Sequence, residues 1–317
     1  MTDASPRFPL GPFTPYEANP ILRPRGESWE SKNLYNPAAI VVDDQVLLLY
    51  RAHAEDIVSH VGLARSTDGY HFEREEQPIL SPEYDYESHG CEDPRVSLID
   101  GTYYLTYTGY DGTTAQLCLA TSTDLHNWTK HGPLLPQGFD TFAPIHGDSG
   151  RTWSKAGVIY PEKINGKYYM YFGEGTIFYA TSDDLIHWTP CPNDQPIHTP
   201  TPGTWDESLV EIGAVPVLSD DGLLIFMTNG AKPGENTRVD YRCGQIAIAL
   251  NDPTSVIATM TRPWLRPQTF EELNGLVSNV TFVEGLVWFK DRWLAYYGQS
   301  DTTLAVADYV PARDSYR

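Results

Sequence analysis

The run Gly101-Thr-Tyr-Tyr-Leu-Thr-Tyr-Thr108, followed by Cys118-Leu-Ala-Thr-Ser-Thr-Asp124, decides the fold because the chain repeats it. The first half recurs as Asp44-Gln-Val-Leu-Leu-Leu-Tyr-Arg51, Gly166-Lys-Tyr-Tyr-Met-Tyr-Phe172, Gly222-Leu-Leu-Ile-Phe-Met-Thr228 and Arg292-Trp-Leu-Ala-Tyr-Tyr297. The second half recurs as Gly62-Leu-Ala-Arg-Ser-Thr-Asp68, Phe178-Tyr-Ala-Thr-Ser-Asp-Asp184, Ile246-Ala-Ile-Ala-Leu250 and Leu304-Ala-Val-Ala307. A further strand-like segment precedes each pair, at Tyr35–Val42, Pro94–Ile99, Val158–Ile164, Ala214–Leu218 and Val280–Phe289. β-Branched and aromatic residues bounded by Gly and Asp turns favour strands, and no 3.6-residue period intervenes. Five copies of one antiparallel meander, about 55–70 residues apart, are the signature of radial repetition. The expected fold is therefore all-β, a five-bladed β-propeller in one domain over 21–317. Residues 1–20 form a Pro-rich lead-in.

Bulk composition narrows the partners. Among 317 residues there are 22 Lys and Arg against 42 Asp and Glu, a formal net charge of −20. That surplus argues against nucleic acid or an anionic membrane. Four dispersed cysteines, with no CxxC pair, give neither a zinc site nor a disulfide framework. The N-terminus lacks the basic and apolar regions of a signal peptide, and no run approaches a membrane span, so a cytoplasmic protein is expected. Twenty Tyr and eight Trp offer apolar ring faces to a sugar.

In a propeller the first strand of each blade lines the central channel. Those strands and the loops leading into them bring polar residues to one axis: Asn36, Glu92, Asp93, Arg95, Lys155, Glu162, Glu211 and Glu284, with Tyr241 and Asp301 beside the later strands. A buried carboxylate without a partner is costly, so such a cluster needs a purpose. The densest part is His89-Gly-Cys-Glu-Asp-Pro-Arg95. Pro94 should hold Asp93 in an extended conformation, which sends Glu92 and Asp93 to opposite faces.

Glu92-Asp93-Pro94-Arg95, Tyr35-Asn36-Pro37-Ala38, Leu49-Tyr50-Arg51-Ala52, Pro161-Glu-Lys-Ile-Asn-Gly-Lys-Tyr168 and Tyr297-Gly-Gln-Ser-Asp-Thr302 resemble the motifs of glycoside hydrolase family 130, in order, from about Asn19 to Asp308. The resemblance implies a five-bladed propeller acting on β-mannosides with inversion, as a phosphorylase or as a mannosidase. It implies that Asp93 is the general acid, working through a sugar hydroxyl. Asn36, Arg51, Asp301 and Tyr241 would hold the mannose, and Arg95 would orient the acid or a hydroxyl, with Glu92 beside it.

A phosphorylase needs cations for an inorganic dianion, whereas a hydrolase needs a carboxylate base opposite the acid. Where the resemblance leads one to expect Arg, His-Arg-Pro and Lys, this chain carries Lys155, Phe172-Gly173-Glu174 and Glu211. One cation remains, one is lost and one is reversed in sign. Counted as charges, these changes favour hydrolysis. The expected activity is thus an inverting, exo-acting β-mannosidase on short mannosides, with β-1,2 linkage foremost. Glu211 would activate water with Glu174 assisting, and Glu284 is the next candidate base. No metal or cofactor is called for, and the partner is a small oligosaccharide. Oligomeric state, including a homo-oligomer, stays open. The alternatives are a mannoside phosphorylase that relies on Lys155, a related glycosidase of arabinose or xylose polymers, and a mannoside-binding propeller without chemistry.

Overall fold

The structure is a computed structural model that describes residues 6–234 and 239–311. Five antiparallel sheets are arranged as the blades of a β-propeller. The first blade runs Asn33–Val42, Gln45–His53, His60–Ser66 and Glu73–Arg74. The second runs Gly90–Ile99, Thr102–Tyr110, Ala115–Ser122 and Thr129–Pro133. The third is Val158–Ile159, Tyr168–Phe172, Phe178–Ser182 and Thr189–Pro190. The fourth is built on Leu209–Ile212, Leu223–Lys232, Asp240–Ala249 and Val256–Thr259, with Val217–Leu218 also paired to its second strand. The fifth is Thr281–Phe289, Arg292–Gln299 and Thr303–Tyr309, and its outermost strand is Thr14–Pro15 from the start of the chain.

That last pairing, Thr14 opposite Asp308 and Pro15 opposite Ala307, closes the ring. The stretch read as a lead-in therefore supplies a strand. Its first five residues lie outside the described ones, as do 312–317 of the expected propeller segment. The Gln245 side chain fixes the preceding turn by accepting from Leu10 N and donating to Leu10 O, both at 2.7 Å. Leu10 and Phe13 then join the apolar core between the fourth and fifth blades.

Five apolar cores lie between adjacent blades. Leu49, Leu63, Val96 and Leu105 join the first and second, and Leu34, Leu48, Leu294 and Val306 join the fifth and first. The core between the second and third is built on Leu119, Met170 and Phe172, and that between the third and fourth on Tyr171, Ile212 and Phe226. Each fully buried side chain of this kind contributes about 1.5–3 kcal/mol, so interlocking blades rather than any one sheet stabilise the ring.

The repeats share their corners. Ser66, Ser122 and Ser182 each donate to the Asp two residues on and accept backbone N–H groups from the turn. The residue after each Asp is left-handed: Gly69 at φ 84°, Leu125 at 67° and Leu185 at 68°. Only the first blade uses glycine there, and a Cβ on it would lie 2.5 Å from Leu294 Cδ1. A second shared device is a buried Glu, placed before the blade, that accepts from a Tyr on the second strand. The pairs are Glu30 with Tyr50 at 2.9 Å, Glu87 with Tyr107 at 2.8 Å and Glu272 with Tyr297 at 3.1 Å.

Two inner strands differ from expectation. The third blade's ends at Ile159, and beyond it Glu162 is exposed on a separate groove rather than in the channel. The fourth blade's begins at Leu209, and Gly213-Ala-Val-Pro216 interrupts it, consistent with a Pro that cannot donate to the ladder. No helix among the described residues is long and apolar enough to cross a membrane.

Candidate active site

Three inner strands carry a bulge near the channel mouth, between Tyr35 and Ala38, between Glu92 and Arg95, and between Val283 and Gly285. These bulges present Asn36, Asp93 and Glu284. Asn36 and Asp93, each followed by proline, have φ of 52° and 51°. The extended backbone expected for Asp93 is therefore not the one adopted. The bulge overrides the local preference of a residue before proline and breaks strand alternation. As a result Glu92 and Asp93 reach the same two cations instead of opposite faces. Asp301 (φ 50°) and Ala156 (φ 57°), next to Lys155, are also left-handed. Strained backbone gathered at one cleft marks a site held in place by its surroundings.

The cleft is a cavity of about 730 Å³. Of the expected site residues, Asn36, Arg51, Asp93, Lys155, Glu174, Glu211, Tyr241 and Asp301 line it, together with Tyr35. Glu92 and Arg95 do not. Glu92 lies behind the cations, 2.5 Å from Arg51 Nη2 and 3.6 Å from Lys155 Nζ. Arg95, only 1% exposed, is a floor brace. It donates to the carbonyls of Asp93 (2.9 Å), Ile212 (2.9 Å) and Gly213 (3.2 Å), and pairs with Glu284 at 2.9 Å.

Asp93 receives Arg51 Nη1 at 2.9 Å and Lys155 Nζ at 2.8 Å. Burial alone would raise its carboxyl, but Lys155, Arg51 and Arg95 outweigh it and hold Asp93 below the ordinary carboxylate range. Burial raises Glu92 despite Arg51 and Lys155, with Asp93 adding to the rise. Arg51 is fixed from two more sides, by Ser59 Oγ at 2.8 Å and by the Tyr35 ring at 4.4 Å. Ser59 carried no signal in the sequence, since nothing in its neighbourhood distinguishes it from a loop serine.

Across the cleft, Glu174 and Glu211 are direct partners in an antiparallel pairing. Trp153 Nε1 donates to Glu174 Oε2 at 2.7 Å, so this tryptophan is a carboxylate holder. Burial and then Glu174 push Glu211 well above the usual range, against Arg95 (3.8 Å away) and Lys155. Burial and the carboxylates of Asp93 and Glu92 lift Asp301 to about 6, opposed by Arg51 and Lys155. Glu284, lifted by burial to about 8, lies beneath the lining, outside reach of a substrate in the cavity. Among the other aromatic residues, Trp205 packs against Gly230 and Gly244, and fully buried Tyr296 donates to the Gly69 carbonyl. Both are blade packing.

The profile of the glycoside hydrolase 130 family, described as β-1,4-mannooligosaccharide phosphorylase, matches residues 15–312. The chain belongs to that family. It is 36% identical over 300 residues to a 1,2-β-oligomannan phosphorylase of Thermoanaerobacter sp. (strain X514), covering 91% of this chain and 94% of that one. A β-1,2-mannobiose phosphorylase from the same organism is 35% identical with the same coverage. Among solved structures, one described as "The GH130 family of mannoside phosphorylases contains glycoside hydrolases that target beta-1,2 mannosidic linkages in Candida mannan" superposes with a TM-score of 0.86 at 32% identity, covering 98% of this chain and 97% of that one.

The phosphorylase relatives overturn the expectation of a hydrolase. Its physical flaw lies in the charge count, which gave every carboxyl a full negative charge. In the folded site Glu211 is held toward its neutral form, and a neutral carboxylic acid donates a hydrogen bond rather than repelling an anion.

Proposed function

We propose that the chain is an inverting β-mannoside phosphorylase, transferring the terminal mannosyl group of short β-1,2-mannosides to inorganic phosphate. The observation that carries this reading is the pair of phosphorylase relatives matched across 91% of the chain. Within the site, Lys155 and Arg51 supply positive charge at the cavity wall, and Glu211, which burial pushes toward its neutral form, is the added donor in this reading.

Asn36, Asp301 and Tyr241 bind the mannosyl unit, and Asp93 is the acid. In the free site Asp93 is ionised because Lys155 and Arg51 hold it so. A phosphate dianion that engages Lys155 weakens that hold and adds negative charge nearby, and both effects raise the Asp93 carboxyl. The acid is thus loaded as phosphate arrives. A phosphate oxygen attacks the anomeric carbon as its bond to the leaving oxygen breaks. Asp93, through a sugar hydroxyl, protonates that oxygen, and the proton of hydrogen phosphate replaces the one lost. The products are α-mannose 1-phosphate and the shortened sugar.

The test is product analysis on β-1,2-mannobiose with and without phosphate. Mannose 1-phosphate should form only with phosphate, one equivalent per bond cleaved. Free mannose as sole product, at equal rate in both, would overturn the reading.

A further inference from the structure

We propose that Glu284 is a positioning residue that sets which way the Asn36 amide faces, so that Asn36 offers the mannosyl unit its carbonyl as an acceptor. Glu284 Oε1 accepts from Asn36 Nδ2 at 2.6 Å and from Arg95 Nη2 at 2.9 Å. With its nitrogen turned to a buried oxygen, the amide points its carbonyl away from Glu284, and Asn36 lines the cavity. The partner of that carbonyl is a sugar hydroxyl acting as donor. Glu284 is 2% exposed and its Oε2 has no partner among the described residues, so the Oε1 contacts account for its placement.

The geometry of three blades makes this arrangement specific. Asn36, Asp93 and Glu284 occupy the bulges of the first, second and fifth inner strands. Two of the three line the cavity, and the third lies under them. Arg95, held by Glu284, also donates to the carbonyl of Asp93 at 2.9 Å. One carboxyl therefore links the sugar contact on one strand to the backbone of the proposed acid on another.

The inference rests on the reading of Asn36 as a mannosyl contact. Glu284→Gln keeps a carbonyl that can accept from Asn36, whereas Glu284→Ala keeps nothing. Lost binding that is equal in ground and transition states appears in KM. For β-1,2-mannobiose, Glu284→Ala should raise KM about tenfold with kcat changed less than about threefold, and Glu284→Gln should stay within about threefold on both. Equal effects of Ala and Gln, or a loss in kcat alone, would overturn the proposal. Should the Ala variant not fold, the paired swap decides. Asn36→Asp alone sets two carboxyl groups together and should cost about a hundredfold in kcat/KM. Adding Glu284→Gln restores one donor and one acceptor and should recover at least about tenfold of it. A double variant no better than the product of the singles would refute the amide assignment. Cleavage can be followed with or without phosphate, so phosphate-independent turnover would refute the phosphorylase reading alone and leave this test in force.

Discussion

Two sets of buried carboxyl groups in this propeller are treated differently by their surroundings. At the blade periphery, Glu87 accepts from Tyr107 Oη at 2.8 Å, from Lys130 Nζ at 2.5 Å and from the backbone N–H of Glu83 at 2.9 Å. Glu272 is held similarly by Tyr297, Gln299 and the N–H groups of Gln268 and Thr269. At the channel mouth, Glu211 has Arg95 at 3.8 Å, and burial pushes up the carboxyls of Glu211 and Asp301, helped by Glu174 and Asp93 at the first and by Asp93 and Glu92 at the second. The first set is saturated with donors and can only stabilise. The second is short of donors, which is unfavourable until a polyhydroxylated ligand supplies them. Stability and chemistry are thus separated by position along the radius of the wheel.

The separation is sharpest where a peripheral group is removed. Glu87→Ala takes the near carboxylate from Lys130, whose side chain is 2% exposed, leaving it the Ser81 carbonyl at 2.5 Å and the Glu83 carboxylate only at 3.9 Å. Breaking a buried pair on one side costs about 3–5 kcal/mol. Chemical denaturation should show that loss, while kcat/KM of the folded fraction stays within about twofold of the parent. A large fall in kcat/KM at unchanged denaturation midpoint would break the comparison.

A smaller effect, opposite in sign, is expected at the mouth. The folded pKa of Asp301, about 6, lies above its ordinary 3.8. Between these values the folded state binds more protons than the unfolded state, so this group's contribution to stability falls as pH rises through the window and stays low above it. Asp301→Asn removes the ionisation. Its melting temperature relative to the parent should climb as pH goes from about 4 to about 7, while mannoside turnover collapses. A constant difference across that range would show that burial does not disfavour the Asp301 carboxylate.

Much of this was legible in the sequence, for identifiable reasons. The blades were readable because aromatic strands and Ser-x-Asp corners repeat, and these are local. The cluster was readable because Asn36, Asp93, Glu211 and Asp301 are polar residues in or beside strands whose other residues are apolar. Two things were hidden. A bulge adds a residue without changing composition, so the turn of Asp93 toward Lys155 could not be read from the pre-proline rule. Protonation depends on burial, which is a property of the assembled channel. Reading Glu211 as a fixed negative charge therefore led to water as the acceptor where the relatives point to phosphate. The Trp153–Glu174 bond shows the same limit: the spacing from 153 to 174 carries no sign of contact.

Glu211→Gln tests the neutral reading of that group directly, and it should be the mildest of these changes. If Glu211 serves as a neutral donor, the amide reproduces its size, its lack of charge and its ability to donate. It also removes a carboxyl that burial disfavours, so denaturation midpoints should be unchanged or higher. The KM for phosphate should move by less than about threefold and kcat/KM by less than about tenfold, because one neutral hydrogen bond is worth about 1 kcal/mol. A base that must take a proton cannot be replaced by an amide, and removing such a group costs about 10²–10⁴-fold. A loss of that size, with phosphate KM unmoved, would mean that Glu211 works as a carboxylate and that the mouth and the periphery differ in charge as well as in hydrogen bonding.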